Sequence, residues 1–368
     1  MKIFFIASFG NFNELPLGGG QTAARRLLST LRAQGYDVET IHRHPPTANW
    51  KCFRGIQFIF WTLIDPILVF VKLVLRSRHG ALVLYMGYLG RVLIPIEFSI
   101  AWVSRMLGFQ NALYLAGGGT ETTYTLSNKI IQFFERKILQ GYRVILTEGY
   151  ENMTFVERIS HSRIFYLPNY TEQDFAPMDL PQKPCNRWNI LYFGRIAPTK
   201  NVLLGIDVFD SLCQHFNNVY YTIVGGGPED YCNAVEYRIS QSPNREKIKR
   251  IGRSSHDELK KMLFDQHFFL FPSTEPREGH SNALNEAMSY GLVPIVSKNN
   301  FLPSIVGCDN LVAKEMTVEA FVSVFVEIIK SGDYKALSQS MYNRVRQNFT
   351  QEVVEKRISD IMDYIKTV

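Results

Sequence analysis

The chain has 368 residues, long enough for two domains that each bury a core. A hydrophobic fraction of 46% and an aromatic fraction of 13% describe a globular protein and exclude extensive disorder. The formal charge of +6 is unevenly divided: residues 1–170 hold 18 Lys and Arg against 10 Asp and Glu, residues 171–368 hold 22 against 24. A basic first half suits anionic lipid, an anionic acceptor or nucleic acid, and equally reads as ordinary surface charge. Five cysteines (Cys52, Cys185, Cys213, Cys232, Cys308) are widely spaced with no C-x-x-C, so reduced thiols in a cytoplasmic protein are expected. Met1 to Ser8 is too short for a signal peptide and reads better as a first strand.

That strand, within KIFFIASFG, ends in a loop continuing through Leu17-Gly18-Gly19-Gly20. A helix from about Gln21 to Ala33 turns Ala24, Leu27, Leu28 and Leu31 inward, Gly35 stops it, and YDVETIHR is a second strand. The loop is glycine-rich enough to hold a phosphate. Its glycines lie too far past Gly10 for G-x-G-x-x-G spacing, which disfavours a dehydrogenase. Arg25, Arg26 and Arg32 suit an anionic acceptor, though solvated helix charges need no function.

Residues 56–75 are the most apolar run, long enough by count to span a bilayer. Asp65, Pro66 and Lys72 interrupt it, Pro66 is expected to break or kink it, and Lys51, Arg54, Arg76 and Arg78 flank it. A helix lying partly on a membrane and partly on its own domain is favoured over a buried core helix, and both over a true span. The strand ALVLYMG, a helix around Ile94–Leu107, the strand NALYLAGGG, a helix around Ser127–Leu139, the strand YRVILTEG and the segment SRIFYLPNY complete the first half. In Gly117-Gly118-Gly119-Thr120-Glu121, glycines let backbone approach a ligand and Glu121 suits a base for an acceptor hydroxyl. A glycine turn with a surface glutamate is the blander reading, and Glu148 is a weaker candidate.

Residues 169–187 are polar, carry Pro177, Pro181 and Pro184, and read as a linker. NILYFGRIAPTKNVLLGIDVF opens a second α/β domain, with Arg195 and Lys200 after Gly194. Two cations beside a strand end can neutralise a diphosphate. VYYTIVGGGPED runs a strand into Gly225-Gly226-Gly227, and IKRIGRSSHDELKKML gives a short strand, a loop at Gly252-Arg253 and a helix capped near Ser255. FFLFPSTEPREGHSNALNEAMSYGLVPIVS then reads strand, polar loop, helix, terminating Gly291, strand, which puts the loop at the carboxyl edge of a parallel sheet. Backbone amides of Gly279, His280, Ser281 and Asn282 at the helix start suit phosphate, while Glu278 and Glu286 suit sugar hydroxyls. On spacing alone the blander reading is stronger, with a helix-stabilising Glu278 and a solvated Glu286.

The wider context reverses that preference. EGHSNALNEAMSYGLVPIVS resembles the donor-binding segment of retaining glycosyltransferases of the GT-B fold, marked by an E-x7-E pair that is Glu278 and Glu286 here. Arg195 and Lys200 match the family's G-R-x-x-x-x-K element, with Asn201 where a glycine is usual, and Gly225-Gly226-Gly227-Pro228 is a further shared feature. The resemblance covers residues 185–368 by motif and residues 1–170 by element order and one glycine loop. It implies an α/β fold of two Rossmann-like α/β/α domains facing each other across a cleft. These are an acceptor domain (1–170), a linker (171–187), a nucleotide-sugar domain (188–350) and a C-terminal helix (351–368) crossing back. It places Gly19 and Gly20 under the donor phosphate, Gly225 near the donor, Gly252 and Arg253 beside the base, Glu286 on the ribose and Glu278 on the sugar. The histidine that relatives often carry after the fourth strand is replaced by the Gly117–Glu121 loop, leaving Gly118 and Glu121 as acceptor-side candidates.

The sequence has no D-x-D and no cluster with metal-ligand spacing, so no metal is expected. Stabilising a diphosphate leaving group then falls to Arg195, Lys200 and the helix start. The expected reaction is transfer of a sugar from a UDP- or GDP-sugar, as substrate rather than bound cofactor, with retained configuration. Attack on the leaving-group face is assisted by a donor phosphate oxygen, and domain closure excludes water. The expected acceptor is a lipid-linked or oligosaccharide glycan of bacterial surface-polysaccharide type, handled by a cytoplasmic protein peripheral on an anionic inner membrane face, with no nucleic-acid partner. A nucleotide-sugar epimerase of GT-B form and a non-catalytic sugar- or membrane-binding protein are the alternatives.

Overall fold

Two parallel six-stranded sheets organise the chain in a computed structural model that describes residues 1–14, 18–43, 54–75, 80–90 and 93–367. The expected contributions of Leu17, Lys51, Cys52, Arg76 and Arg78 lie outside the described residues. The chain divides into two compact units, one of Met1–Pro168 with Glu355–Val368, the other of Asn169–Val354.

The first unit holds β1 (Lys2–Ala7), β2 (Asp37–His42), β3 (Leu82–Gly87), β4 (Gln110–Leu115), β5 (Val144–Thr147) and β6 (Arg163–Tyr166), in the order β2-β1-β3-β4-β5-β6. All pairings are parallel, with Ile3 opposite Leu82 and Leu84 opposite Ala112. β3 is buried along its whole length, which is why it reads as an unbroken apolar run rather than an alternating one. The helix Gly19–Ala33 buries Ala24, Leu27, Leu28 and Leu31. Arg25 in that helix donates from Nε to the Phe9 carbonyl at 2.8 Å, from Nη1 to Glu14 at 2.8 Å and from Nη2 to Asn11 at 2.6 Å. It is a clamp on the loop after β1.

The helix Arg54–Leu75 runs through Pro66 without a break. A proline forfeits one helical N–H bond, and here packing holds the helix on both sides of it: Asp65, Val69 and Leu73 are buried. Phe60, Ile67, Leu68, Phe70, Val71, Val74 and Leu75 are exposed, so the outward face is also apolar. Among the described residues no helix is long and apolar enough to cross a membrane. The helix Gln351–Thr367 turns Val354, Ile358, Ile361, Met362 and Ile365 inward, and its residues from Glu355 onward belong to the first unit.

The second unit holds β7 (Trp188–Phe193), β8 (Val219–Val224), β9 (Ile248–Ile251), β10 (Phe268–Phe271), β11 (Val293–Ser297) and β12 (Val312–Ala313), in the order β12-β11-β10-β7-β8-β9. β7 and β10 are neighbours, with Ile190 opposite Phe268. From β7 the chain builds outward one way through β8 and β9, and from β10 the other way through β11 and β12. That reversal is a topological switch point, where open α/β sheets leave a crevice beyond the strand carboxyl ends. Residues 169–187 group with this unit. They are tied to it by Asn169 Nδ2 donating to the His280 carbonyl at 2.7 Å and Tyr290 Oη donating to the Phe175 carbonyl at 2.8 Å.

Candidate functional site

The loops leaving β7 and β10 both open at the switch point, and they carry Gly194, Arg195, Lys200, Glu278 and Gly279–Ser281 of the residues that the sequence singles out. Gly194 ends β7 at φ +141° and Gly225 ends β8 at φ +139°, in the region that favours glycine. A Cβ on Gly225 would overlap the Gly194 carbonyl, and one on Gly227 would overlap the Ile196 carbonyl. The Gly225 N–H donates to the carbonyls of Ile251 and Gly252 at 3.1 Å, and Arg253 lies across Gly226, 3.1 Å from where a Cβ would sit. Three successive strand ends are thus drawn together, and Gly194, Gly225, Gly252 and Arg253 share one neighbourhood.

After Gly194 the turn Pro198–Lys200 ends at Asn201, φ +54° and ψ +40°. That is left-handed backbone, where asparagine is the most tolerant residue after glycine. Asn201, where a glycine is usual in the pattern, thus takes a conformation that glycine also favours.

Each cation meets a carboxylate from the β10 loop. Lys200 Nζ lies 2.5 Å from Glu278 Oε2, the Ser273 hydroxyl donates to the same oxygen, and the side chains of Lys200 and Glu278 are only 12% and 9% exposed. Lys200 also stands 5.2 Å from the centre of the Phe271 ring. Arg195 Nη2 lies 3.0 Å from Glu275 Oε2, with exposures of 57% and 23%, and Thr199 Oγ1 donates to that oxygen at 2.8 Å. The two pairs differ energetically. Removing one member of a buried pair costs about 3–5 kcal/mol, whereas an exposed pair is worth about 0–1 kcal/mol.

The helix Asn282–Ser289 begins with Ser281 as its cap, whose Oγ accepts the Leu284 N–H at 3.3 Å. At its other end Gly291, φ +71°, and the Leu292 N–H bonded to the Ala287 carbonyl close a left-handed stop. The His280 ring turns into the fold, with Nε2 3.1 Å from Asn285 Oδ1 and the ring edge-on to Phe349 at 4.7 Å. Only the backbone of His280 belongs with Gly279, Ser281 and Asn282 at the positive end of the helix. Glu286, one turn inside, is 8% exposed, not solvated. Its burial is at odds with the solvated side chain of the blander reading.

Glu275, Ser273 and Thr199 were not legible as site residues. Glu275 sits three positions before Glu278, but no local pattern announces a partner from the β7 loop. In the first unit, a Cβ on Gly19 at the start of its helix would meet no described residue within 4 Å, and one on Gly20 would strike the Tyr88 hydroxyl. Gly117, φ +78°, is held by its N–H donating to Glu148 Oε2 at 3.1 Å, while Tyr114 donates to Glu148 Oε1 at 3.2 Å. Glu148 therefore braces the turn that contains the buried Gly118. Glu121 is half-exposed and paired with Arg158 at 2.5 Å. The sequence also missed Glu97, buried beneath the loop after β3, which accepts the Tyr88 N–H at 3.0 Å; burial pushes its carboxyl up.

Residues 180–349 match the family described as glycosyl transferases group 1. An amylovoran biosynthesis glycosyltransferase, AmsK, of Erwinia amylovora is 23% identical over 181 residues, 47% of this chain and 44% of that protein, so the match spans under half of the relative's length. The sucrose-phosphate synthase of Thermosynechococcus elongatus superposes with a TM-score of 0.76 at 15% identity, covering 99% of this chain and 98% of that one. A trehalose-6-phosphate structure from E. coli bound with UDP-2-fluoro glucose gives 0.72 at 11% identity over 100% and 99%. HepE of Anabaena in complex with UDP gives 0.70 at 12% identity over 99% and 100%. At these identities the likeness is one of fold.

Proposed function

We propose that this chain, which has a GT-B fold and whose residues 180–349 match the glycosyl transferases group 1 family, moves a sugar from a nucleotide-diphosphate sugar to a glycan acceptor in polysaccharide synthesis. One observation supports the reading: two cations from the β7 loop each meet a carboxylate from the β10 loop, Arg195 with Glu275 and Lys200 with the buried Glu278, at the switch point of the second sheet. In this reading Arg195, Lys200 and the amides of Gly279–Asn282 meet the diphosphate and stabilise the charge that grows on it as the glycosidic bond breaks. Preorganised donors of this kind are worth about 3–4 kcal/mol each. Glu286 holds the ribose hydroxyls and Glu278 the sugar. Gly194 and Gly225 let backbone lie close to the ligand, and Gly252 and Arg253 border the base. The UDP complexes of structural neighbours make uridine the first nucleotide to test and GDP the second.

Retention follows in this reading from attack on the leaving-group face, with no protein nucleophile. Charge neutralisation by Arg195 and Lys200 makes the reaction independent of a metal. The proposed acceptor is a lipid-linked glycan, with the protein held peripherally on an anionic membrane surface. The apolar outward face of Arg54–Leu75 supports that, as do Ile130 and Phe133, exposed on the helix Lys129–Gly141 beside Lys129 and Lys137. Gly19, Gly20, Gly118 and Glu121 remain the proposed contacts from the first unit.

The test is incubation of the purified chain with UDP- and GDP-sugars, with and without a membrane-extracted glycan acceptor. Acceptor-dependent release of the nucleotide and a product of unchanged anomeric configuration by NMR support the reading. Release of UDP and free altered sugar from donor alone would favour an epimerase, and binding without turnover a non-catalytic protein.

A further inference from the structure

The two cation–carboxylate pairs at the switch point are built differently, and the difference points to an exchange. Lys200 is enclosed, with Glu278 and the Ser273 hydroxyl around one oxygen. Arg195 is more than half exposed, and its guanidinium reaches Glu275 through a single contact of 3.0 Å. Glu275 itself is fixed. Its carbonyl accepts from Asn299 Nδ2 at 3.0 Å and from Asn300 Nδ2 at 3.1 Å, and its N–H donates to Ser273 Oγ at 3.3 Å. Its carboxylate also accepts the Thr199 hydroxyl at 2.8 Å. The carboxylate is anchored and already hydrogen-bonded, and the arginine is the more exposed partner.

We propose that Glu275 is a built-in stand-in for the donor's diphosphate: it holds Arg195 while the site is empty, yields the guanidinium to the incoming phosphates, and reclaims it as the nucleotide product leaves. This rests on the nucleotide-sugar reading above. A diphosphate carries more charge than a carboxylate and takes a guanidinium in a forked contact, so it wins the exchange. The competition lowers affinity for substrate and product alike, which hastens product release. Glu275 is a positioning residue that acts through Arg195 and needs no contact with substrate.

The experiment is titration calorimetry of the full chain and of Glu275→Gln, Arg195→Ala and the double variant, with UDP, GDP, UMP and uridine as probes. Glu275→Gln is expected to bind the preferred diphosphate about three- to tenfold more tightly, with a smaller gain for the monophosphate and none for the nucleoside. In the Arg195→Ala background the same substitution is expected to change nothing, because the competitor has lost its target. Glu275→Ala serves if the glutamine variant folds poorly, with thermal unfolding as the control, and the same tightening is expected. Equal or weaker diphosphate binding by folded Glu275 variants overturns the inference, as does a gain that persists without Arg195. If the unaltered chain binds neither UDP nor GDP, the donor reading fails and takes this inference with it. Binding by the unaltered chain with no gain in the variants defeats this inference alone.

Discussion

Lys200 and Glu278 share a 2.5 Å ion pair from which water is largely excluded, although they lie on loops that leave different strands. Neither can be removed without leaving the other charged and buried. Both Lys200→Ala and Glu278→Ala are therefore expected to lower stability, by about 3–5 kcal/mol for a fully buried pair and less where water reaches the cavity. The double substitution leaves no stranded charge and is expected to recover part of that loss. Turnover is expected to fall about tenfold to a thousandfold in both single variants and to stay low in the double one. Denaturant melts and initial rates on the same preparations separate the two effects.

Glu286 is buried one turn inside the helix Asn282–Ser289, and the proposed reading puts it on the ribose. Glu286→Gln is expected to weaken binding of the ribonucleotide about tenfold, about 1.4 kcal/mol. The penalty is expected to shrink with the 2′-deoxy nucleotide, which has already lost a partner for the carboxylate. Calorimetry with the two nucleotides checks this, and an equal penalty for both removes Glu286 from the ribose.

Turnover is expected to survive excess EDTA and to gain nothing from added magnesium or manganese, since the proposed charge on the leaving group is met by Arg195, Lys200 and backbone amides. A rate that collapses in chelator and returns with metal would contradict the proposal.

His267 gives the fold an acid limit. Its Nδ1 accepts the Asn189 N–H at 3.1 Å, its Nε2 lies 2.9 Å from the Pro184 carbonyl, and burial pulls its pKa down from 6.5 to about 4. The Pro184 carbonyl opposes that shift, as does Asp265 more weakly, while Lys183 and Arg187 reinforce it. The unfolded chain takes up this proton first as pH falls, so stability present above pH 6.5 is lost as pH drops towards 4. The loss is at most about 3 kcal/mol. A His267→Gln variant is expected to show a shallower fall in Tm over that window than the unaltered chain.

Ile67→Glu with Phe70→Glu is expected to abolish co-sedimentation with anionic liposomes while leaving the melting transition in place, because both side chains are exposed. Retained binding, or no binding by the unaltered chain, would count against the membrane proposal.

The alternation of apolar runs, glycines and helix periods made both sheets legible, since parallel strands buried on two faces carry an unmistakable composition. The strand order did not show in any local pattern, so the convergence of the Arg195 and Glu278 loops was available only through resemblance. Asn201 departs from the pattern in residue type but takes a left-handed conformation that glycine also favours. Pro66 looked like a break, yet packing around Asp65, Val69 and Leu73 carries the helix through it. Arg25 looked like a surface charge and is a clamp on three carbonyls. Glu275 was silent because its partner lies 80 positions earlier in the chain.

The first unit is assembled from both ends of the chain: Ile358, Ile361, Met362 and Ile365 line an apolar seam with Leu27, Leu31, Leu84 and Leu167. On the ribosome, residues 1–168 emerge long before residues 355–368 exist to cover that seam. At about 5–20 residues per second the wait is about ten seconds or more, during which a stripe of leucines stands open to solvent. Nascent chains halted before residue 355 are then the species on which chaperones and aggregation compete, and a protein trimmed by those last residues inherits the same uncovered stripe for life.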